Sequence, residues 1–213
     1  MHFDINQKDL RAVSLAMAVK DIRYYLQGVY IEANGAETRL IATDGHRLHM
    51  VIQEESGPVV EPVTFIMPAD MVKKCLTAKA SKADKCPKIL VTYDQGKICA
   101  RLPDGSEIVQ FALDGKFPDY RRIIPAHDGG APESCIFNPD YVSDAIKGFS
   151  IYAEMTGKTP PSIGIRPRGA NAGVLCCDNF LAVVMPLRGD ISPMPAPKFS
   201  QELKTPVRLQ SVA

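Results

Sequence analysis

No stretch of this sequence approaches the roughly 18–20 consecutive apolar residues of a membrane span. The opening "MHFDINQKDL" lacks the apolar core of a secretory signal, which predicts a cytoplasmic protein. Charge of one sign is also scarce: the formal net charge is only +1, so no global field announces a nucleic-acid or membrane partner. Any contact with DNA has to come from a local basic face. The six cysteines (Cys75, Cys86, Cys99, Cys135, Cys176, Cys177) contain no CxxC pair. That excludes a recognisable zinc cluster and predicts reduced, mostly buried thiols. Nucleophile elbows, phosphate loops and paired-carboxylate motifs are missing as well. What remains, 46% hydrophobic and 23% charged residues over 213 positions, suits a globular protein of one generous or two small domains.

Three segments share one grammar. "FDINQKDLRAVSLAMAV" begins at Phe3, "FIMPADMVKKCLTAKA" at Phe65 and "FNPDYVSDAIKGFS" at Phe137. In each, an aromatic closes a short strand and a helix-start signal follows. Asn6 caps the first helix, Pro68 sits in the first turn of the second, and Asn138-Pro139-Asp140 supplies cap, first-turn proline and acid to the third. Apolar residues three and four apart give each helix a stripe: Leu10, Val13, Met17; Val72, Cys75, Leu76; Val142, Ile146, Phe149. Short strands come next, ending in hairpins at Asp44 ("TDGH"), Asp104 ("PDGS") and Asp178 ("CDNF"), with Asp-Gly read as a two-residue turn. Opening Phe and turn Asp are 41, 39 and 41 residues apart. The chain therefore reads as an internal repeat of one helix plus antiparallel strands, used three times in an α+β fold. The first two units form a domain over residues 1–125, and 126–134 is a linker. Residues 135–188 form a lone third unit that invites another chain or a partner, and 189–213 is a proline-rich tail.

Four ordered strings resemble the bacterial DNA polymerase III beta subunit, the sliding clamp: "DIRYYLQGVYIE…LIATDGHRLHM", "LDGKFPDYRRIIP", "FNPDYVSDAI" and "AVVMPLR". The resemblance spans residues 1–188. It implies a DNA-clamp-like fold of one and a half clamp domains, namely the complete middle domain and the second half of the last one. In that family these strings surround a groove that takes short peptides from polymerases, the clamp loader and repair proteins. Carried onto this sequence, the apolar walls are Leu26, Leu48, Pro118, Ile123, Val183, Val184, Met185, Pro186 and Leu187. The polar surroundings are Thr43, Gly45, His46, Arg47, Arg122, Asn138, Tyr141 and Arg188. Leu187 stands where the family's last motif has Met, a volume-conserving change.

Such a site needs no catalysis. Leu or Phe anchors are worth roughly 1.5–3 kcal/mol each when fully buried, which predicts micromolar affinity. Met185 can repack around differing anchors, Gly45 and Pro186 shape the backbone, and the three arginines hold peptide carbonyls or acids. Taken singly, "TDGH" is a hairpin turn, "PDYRR" a solvated cationic turn and "AVVMPLR" a buried strand. His46 and His49 differ in parity along a strand and should face apart. Lys73, Lys74 and Lys79 on the second helix are the candidate contacts to double-stranded DNA.

The resemblance thus implies a non-enzymatic replication and processivity protein without cofactor or metal, either a homo-oligomeric ring of roughly four chains on DNA or a non-ring mimic that sequesters clamp-binding partners. A hydrolase using Asp44 and His46 is the alternative from another class.

Overall fold

Two of the three units exchange their first strands. In the computed structural model, which describes residues 2–54, 62–81, 84–124, 136–157, 166–168 and 171–187, β1 (His2–Asn6) leads into α1 (Gln7–Ser14). β2 (Gly28–Ala33), β3 (Glu37–Thr43) and β4 (Arg47–Glu54) follow. The second unit runs β5 (Val63–Pro68), α2 (Ala69–Thr77), β6 (Lys88–Asp94), β7 (Lys97–Arg101) and β8 (Glu107–Phe111). The third contributes α3 (Pro139–Thr156), β9 (Arg166–Arg168), β10 (Asn171–Cys177) and β11 (Phe180–Val184). One sheet has the order β1-β6-β7-β8 and the other β5-β2-β3-β4-β11-β10-β9. β1 thus lies on the second unit's strands (Ile5 opposite Ile89), and β5 lies on the first unit's (Phe65 opposite Ile31).

The caps form as the sequence indicates. Asn6 accepts from the Lys8 N–H, Asn138 accepts from the Asp140 N–H at 2.9 Å, and Pro139 opens α3. Pro68 is one step earlier than expected: it ends β5 in extended conformation and serves as the N-cap of α2. Of the three aspartate turns, register shows a two-residue loop at Asp178-Asn179, between Cys177 and Phe180, with Asp178 at φ +47°. At Asp104 the Leu102 N–H donates to the Ser106 carbonyl, leaving a three-residue loop with Gly105 at φ +83°.

One core lies between the helices and the inner faces of both sheets, and includes Phe3, Leu10, Ile31, Phe65, Met71, Ile89, Phe149 and Phe180. α3 departs from its predicted stripe. Its buried residues are Ala145, Gly148, Phe149, Tyr152 and Ala153, whereas Ile146 is exposed. The reason is close approach: a Cβ on Gly148 would meet the Ala12 carbonyl of α1 at 3.1 Å and Phe180 at 3.0 Å. Small residues set the contact face here, not the largest ones. The third unit therefore covers itself within the chain, β11 on β4 and α3 against α1, contrary to the expectation of an outside partner for that face. A second core sits on the opposite face of the larger sheet, where Leu26, Ile41, Leu48, Met50, Ile66 and Val183 lie under Phe117, Tyr120 and Ile123. The Phe117 ring stacks on Tyr30 at 4.6 Å.

Burial of the thiols is less complete than expected. Cys75 is buried, Cys86, Cys99 and Cys177 are half-buried, and Cys176 is exposed; Cys135 lies outside the described residues. The 126–134 linker and the 189–213 tail also lie outside them. Among the described residues no helix is long and apolar enough to cross a membrane.

Candidate functional site

The turn after β3 is fixed by its own side chains. Thr43 Oγ1 donates to the Arg47 carbonyl at 2.6 Å and accepts from the Gly45 N–H. Asp44 Oδ1 accepts from the N–H groups of His46 and Arg47 at 2.9 and 3.0 Å. Gly45 has φ +90°, and that left-handed backbone demands glycine; a Cβ there would meet only the movable end of the Arg23 side chain, at 2.7 Å. The Asp44 carboxylate is thus committed to the turn and to Arg47, not to the His46 ring. That leaves a hydrolase without its Asp–His pair.

Arg47 ties this hairpin to the third unit. Its Nε pairs with Asp44 at 3.0 Å, its Nη1 with Asp144 of α3 at 2.5 Å, and its guanidinium lies 4.7 Å from the Tyr141 ring centre. Burial alone would raise the Asp144 carboxyl pKa, but bonds from Arg47 and Lys147 outweigh it and hold it below the ordinary range. Arg47 is therefore largely committed within the chain, and its expected part in holding a peptide gives way to a structural one. The His46 ring is exposed and stacks on Tyr141 at 6.1 Å. His49 is buried beneath α1, with Nδ1 2.9 Å from the Ala12 carbonyl, so the two histidines belong to different surroundings.

The seam between β4 and β11 orders the apolar residues by parity. Leu48 faces Val183 across the strands, and both are fully buried with Leu26 in the second core; Ile123 is half-buried against it. They are core and not open walls. Val184 points the opposite way into the helix-side core, since adjacent strand residues alternate faces, and it cannot line the same groove. Past Val184 the chain emerges at the surface. The Met185 N–H donates to the His46 carbonyl at 2.8 Å, and the Leu187 N–H donates to the Ile136 carbonyl at 2.8 Å. Met185 is 39% and Leu187 52% exposed, with Pro186 half-buried between them. Pro118 is half-buried beside Phe117, and Arg122 is exposed with its Nε on Asp119. Asn138 is occupied as the α3 cap, and Arg188 lies outside the described residues.

A cavity of about 290 Å³ opens beside the turn, lined by Met17, Val19, Asp21, Arg23, His46 and Tyr141 among others. None of the residues that the sequence marks as candidate site residues lies on its 17–24 side. Val19 is 82% and Ile22 97% exposed, and Arg23 holds Asp21 at 2.6 Å while reaching the Asp44 carbonyl. An apolar residue next to charges in "AVKDIRYYL" carries no periodic signal that separates exposed from buried. Among the described residues no cluster of His, Cys, Asp or Glu converges to hold a metal ion.

The sequence profile of the DNA polymerase III beta subunit central domain matches residues 4–119, more than half of the chain. The chain belongs to the DNA polymerase III beta subunit family. The beta sliding clamp of Pseudomonas aeruginosa is 34% identical over 129 residues, covering 59% of this chain and 34% of that protein. The Escherichia coli K12 beta sliding clamp is 35% identical over 116 residues, covering 54% and 30%. The matched part is thus about a third of these relatives' length. Among solved structures, a Pseudomonas aeruginosa DNA polymerase sliding clamp with ligand aligns at TM-score 0.69 and 23% identity, covering 88% of this chain and 66% of that one. The DNA polymerase III beta subunit of Thermotoga maritima aligns at TM-score 0.69 and 19% identity, covering 89% and 66%. The clamp-like α+β fold therefore extends beyond the 4–119 match into the third unit.

In this clamp-family chain the candidate DNA-contacting lysines lie on the solvent side of α2. Lys73 and Lys74 are exposed opposite the buried Met71, Val72 and Cys75, and Lys79 is exposed just past the helix end. Lys73 makes an exposed 3.6 Å pair with Asp70, a contact worth little in water.

Proposed function

We propose that this chain is a non-enzymatic clamp-type protein of DNA replication or repair that binds short peptides of a DNA polymerase, clamp loader or repair protein along the His46–Met185 seam. In this reading residues 1–125 make one complete clamp-type domain and 135–188 half of a second. The observation that supports it is the convergence of three distant segments: Leu48, Ile123 and Val183 pack in one apolar cluster, and the Met185 N–H donates to the His46 carbonyl where the chain leaves β11. A fluorescent peptide of the Gln-x-x-Leu-Phe type should bind with micromolar affinity. Met185→Glu should weaken it about tenfold or more, since a carboxylate at the groove edge costs at least ~1.4 kcal/mol. Absence of binding at high protein concentration, or an unchanged affinity in the variant, would remove the groove from consideration.

Duplex DNA contact fits the exposed lysine face of α2. Neutralising Lys73, Lys74 and Lys79 together should lower DNA affinity and flatten its dependence on salt by roughly three counterions' worth. Titrations at several salt concentrations with wild type and triple variant decide this, and superimposable curves would move the DNA surface elsewhere.

A further inference from the structure

All three units meet around a cavity of about 260 Å³, several times the roughly 30 Å³ that one water occupies in the liquid. At its wall Asp9, in the first turn of α1, is 2% exposed, and its Oδ1 has no hydrogen-bond partner among the described residues. A carboxylate in a first turn ordinarily serves the helix N-terminus, but Asn6 already caps α1. The Gln53 side chain bonds to Asp9, yet its own Oε1 is buried and has no partner either. Buried polar atoms are rarely left so. Both oxygens are acceptors, so what satisfies them is a donor, and beside a carboxylate a cationic one.

The rest of the lining narrows the class. Glu54, at the end of β4, is exposed and accepts from Asn179 Nδ2 at 3.4 Å, and Asp4 of β1 pairs with Lys88 of β6 at 3.5 Å. With Asp9 ionised, three carboxylates against one ammonium leave the lining a charge of −2. Among the described residues no group of His, Cys, Asp and Glu converges closely enough to hold a metal ion, so one small cation cannot serve these acids together. Ile52, Tyr152 and Met155 complete the wall with surfaces suited to methylene groups. We propose that this cavity binds an aliphatic diamine or longer polyamine, one ammonium on Asp9 and Gln53, a second on Glu54, and the methylenes against Ile52, Tyr152 and Met155. A dication matches the charge of the lining, and each ammonium brings the N–H donors that the oxygens lack. The site shares no lining residue with the cavity beside the His46 turn and does not depend on the peptide reading.

Protonation supplies a second signature. Asp9 faces Gln53 and Glu54 of β4, Asp4 of β1, Lys88 of β6 and Tyr152 of α3, and its burial holds the carboxyl at about 7. An ammonium takes the ionised form, so binding releases a proton below that pH and weakens about tenfold per unit of pH on the acid side.

Calorimetric titration of the 213-residue chain with putrescine tests the site, with butylamine and butanediol as the one-charge and uncharged controls. Putrescine should bind one to one and about tenfold or more tighter than butylamine, and butanediol should give no heat. The Met155 methyl signal of isotope-labelled protein should shift with the same midpoint. Asp9→Asn keeps the shape and removes the charge, so it should weaken putrescine about tenfold or more and remove the pH dependence. Glu54→Gln, at an exposed position, should bring putrescine down to the affinity of butylamine, and it serves if the Asp9 variant does not fold. No heat at millimolar putrescine overturns the proposal and leaves the two oxygens to water. Equal affinities for putrescine and butylamine overturn it too, as does binding that both variants leave unchanged or a Met155 signal that stays still during the titration.

Discussion

An Asp9→Asn protein should lose about 3 kcal/mol of stability as pH falls from about 6.5 to about 4, whereas the wild type should stay nearly level across that window. Two buried groups with opposite preferences produce this. Burial lowers the His49 pKa from its ordinary 6.5 to about 4, against the pull of the Ala12 carbonyl. The carbonyl can only accept, which places the ring proton on Nδ1, and Nε2 is buried without a partner. Unfolded His49 binds a proton in this range and folded His49 does not, so its contribution is present above about 6.5 and lost toward 4. Asp9 does the reverse. It is 2% exposed at the wall of a cavity of about 260 Å³ shared with Gln53, Tyr152 and Lys88, and burial pushes its carboxyl from 3.8 up to about 7, opposed by the Gln53 amide. Folded Asp9 holds the proton that the unfolded chain releases, so its contribution is present below about 4 and lost as pH rises through 7. Where the windows overlap the slopes cancel. Asp9→Asn exposes the histidine slope, and His49→Leu should expose the acid slope, about 4 kcal/mol of stability lost between pH 4 and 7. Urea melts at half-unit pH steps give both curves. Asp21, Asp104 and Asp144, all held below the ordinary carboxylate range, act at still lower pH. Two parallel curves for Asp9→Asn and wild type would rule out the compensation.

Gly28→Ala should cost about 3 kcal/mol or more, a large effect for one methyl group. Gly28 pairs with Pro68 across β2 and β5, where the second unit's opening strand lies on the first unit's sheet. An added Cβ would fall on the Met67 carbonyl oxygen and 2.8 Å from Ile66 Cγ2. Its φ is not positive, so the need for glycine is close approach and not left-handed backbone. The carbonyl belongs to a strand held along its whole length, from Val63 to Pro68, so it cannot swing aside as a flexible side chain would. Gly157→Ala is the comparison. That residue caps α3 at φ +68° with open space around it, so only the left-handed penalty of about 1 kcal/mol applies. Denaturant midpoints of the two variants should differ accordingly; a Gly28→Ala protein as stable as Gly157→Ala would mean that β5 yields easily.

Much of the candidate site was legible because its signals are local. Asn6 and Asn138 announce helix starts through side-chain chemistry that acts within two residues. Asp44 and Gly45 announce a turn for the same reason. The three-unit repeat was also readable, since similar local signals recur at nearly matching intervals of 41, 39 and 41 residues. The strings near 45, 120 and 185 were identified by resemblance, and of their apolar residues Leu48, Ile123 and Val183 pack in one core cluster. Parity alone would have removed Val184 from that cluster once strand β11 was recognised.

What failed were inferences about which neighbour a face meets. Val142 and Ile146 looked like core because they are apolar at helical spacing, yet Gly148 decides the contact by letting α1 approach. Arg47 looked available to a ligand until Asp144, 97 positions away, took one end of it. Ile22 and Val19 had no periodicity to mark them as surface.

The sequence by itself determined the helix starts, the aspartate turns and the repetition of one helix-and-strand pattern, because capping and turn chemistry operate between residues a few positions apart. Only the tertiary structure decided that the first two units trade strands, that β11 extends the sheet of β4, and that β8 ends its sheet among the described strands. Those outcomes depend on pairing among strands of similar composition, and nothing within a strand says which of several equally apolar partners it will meet.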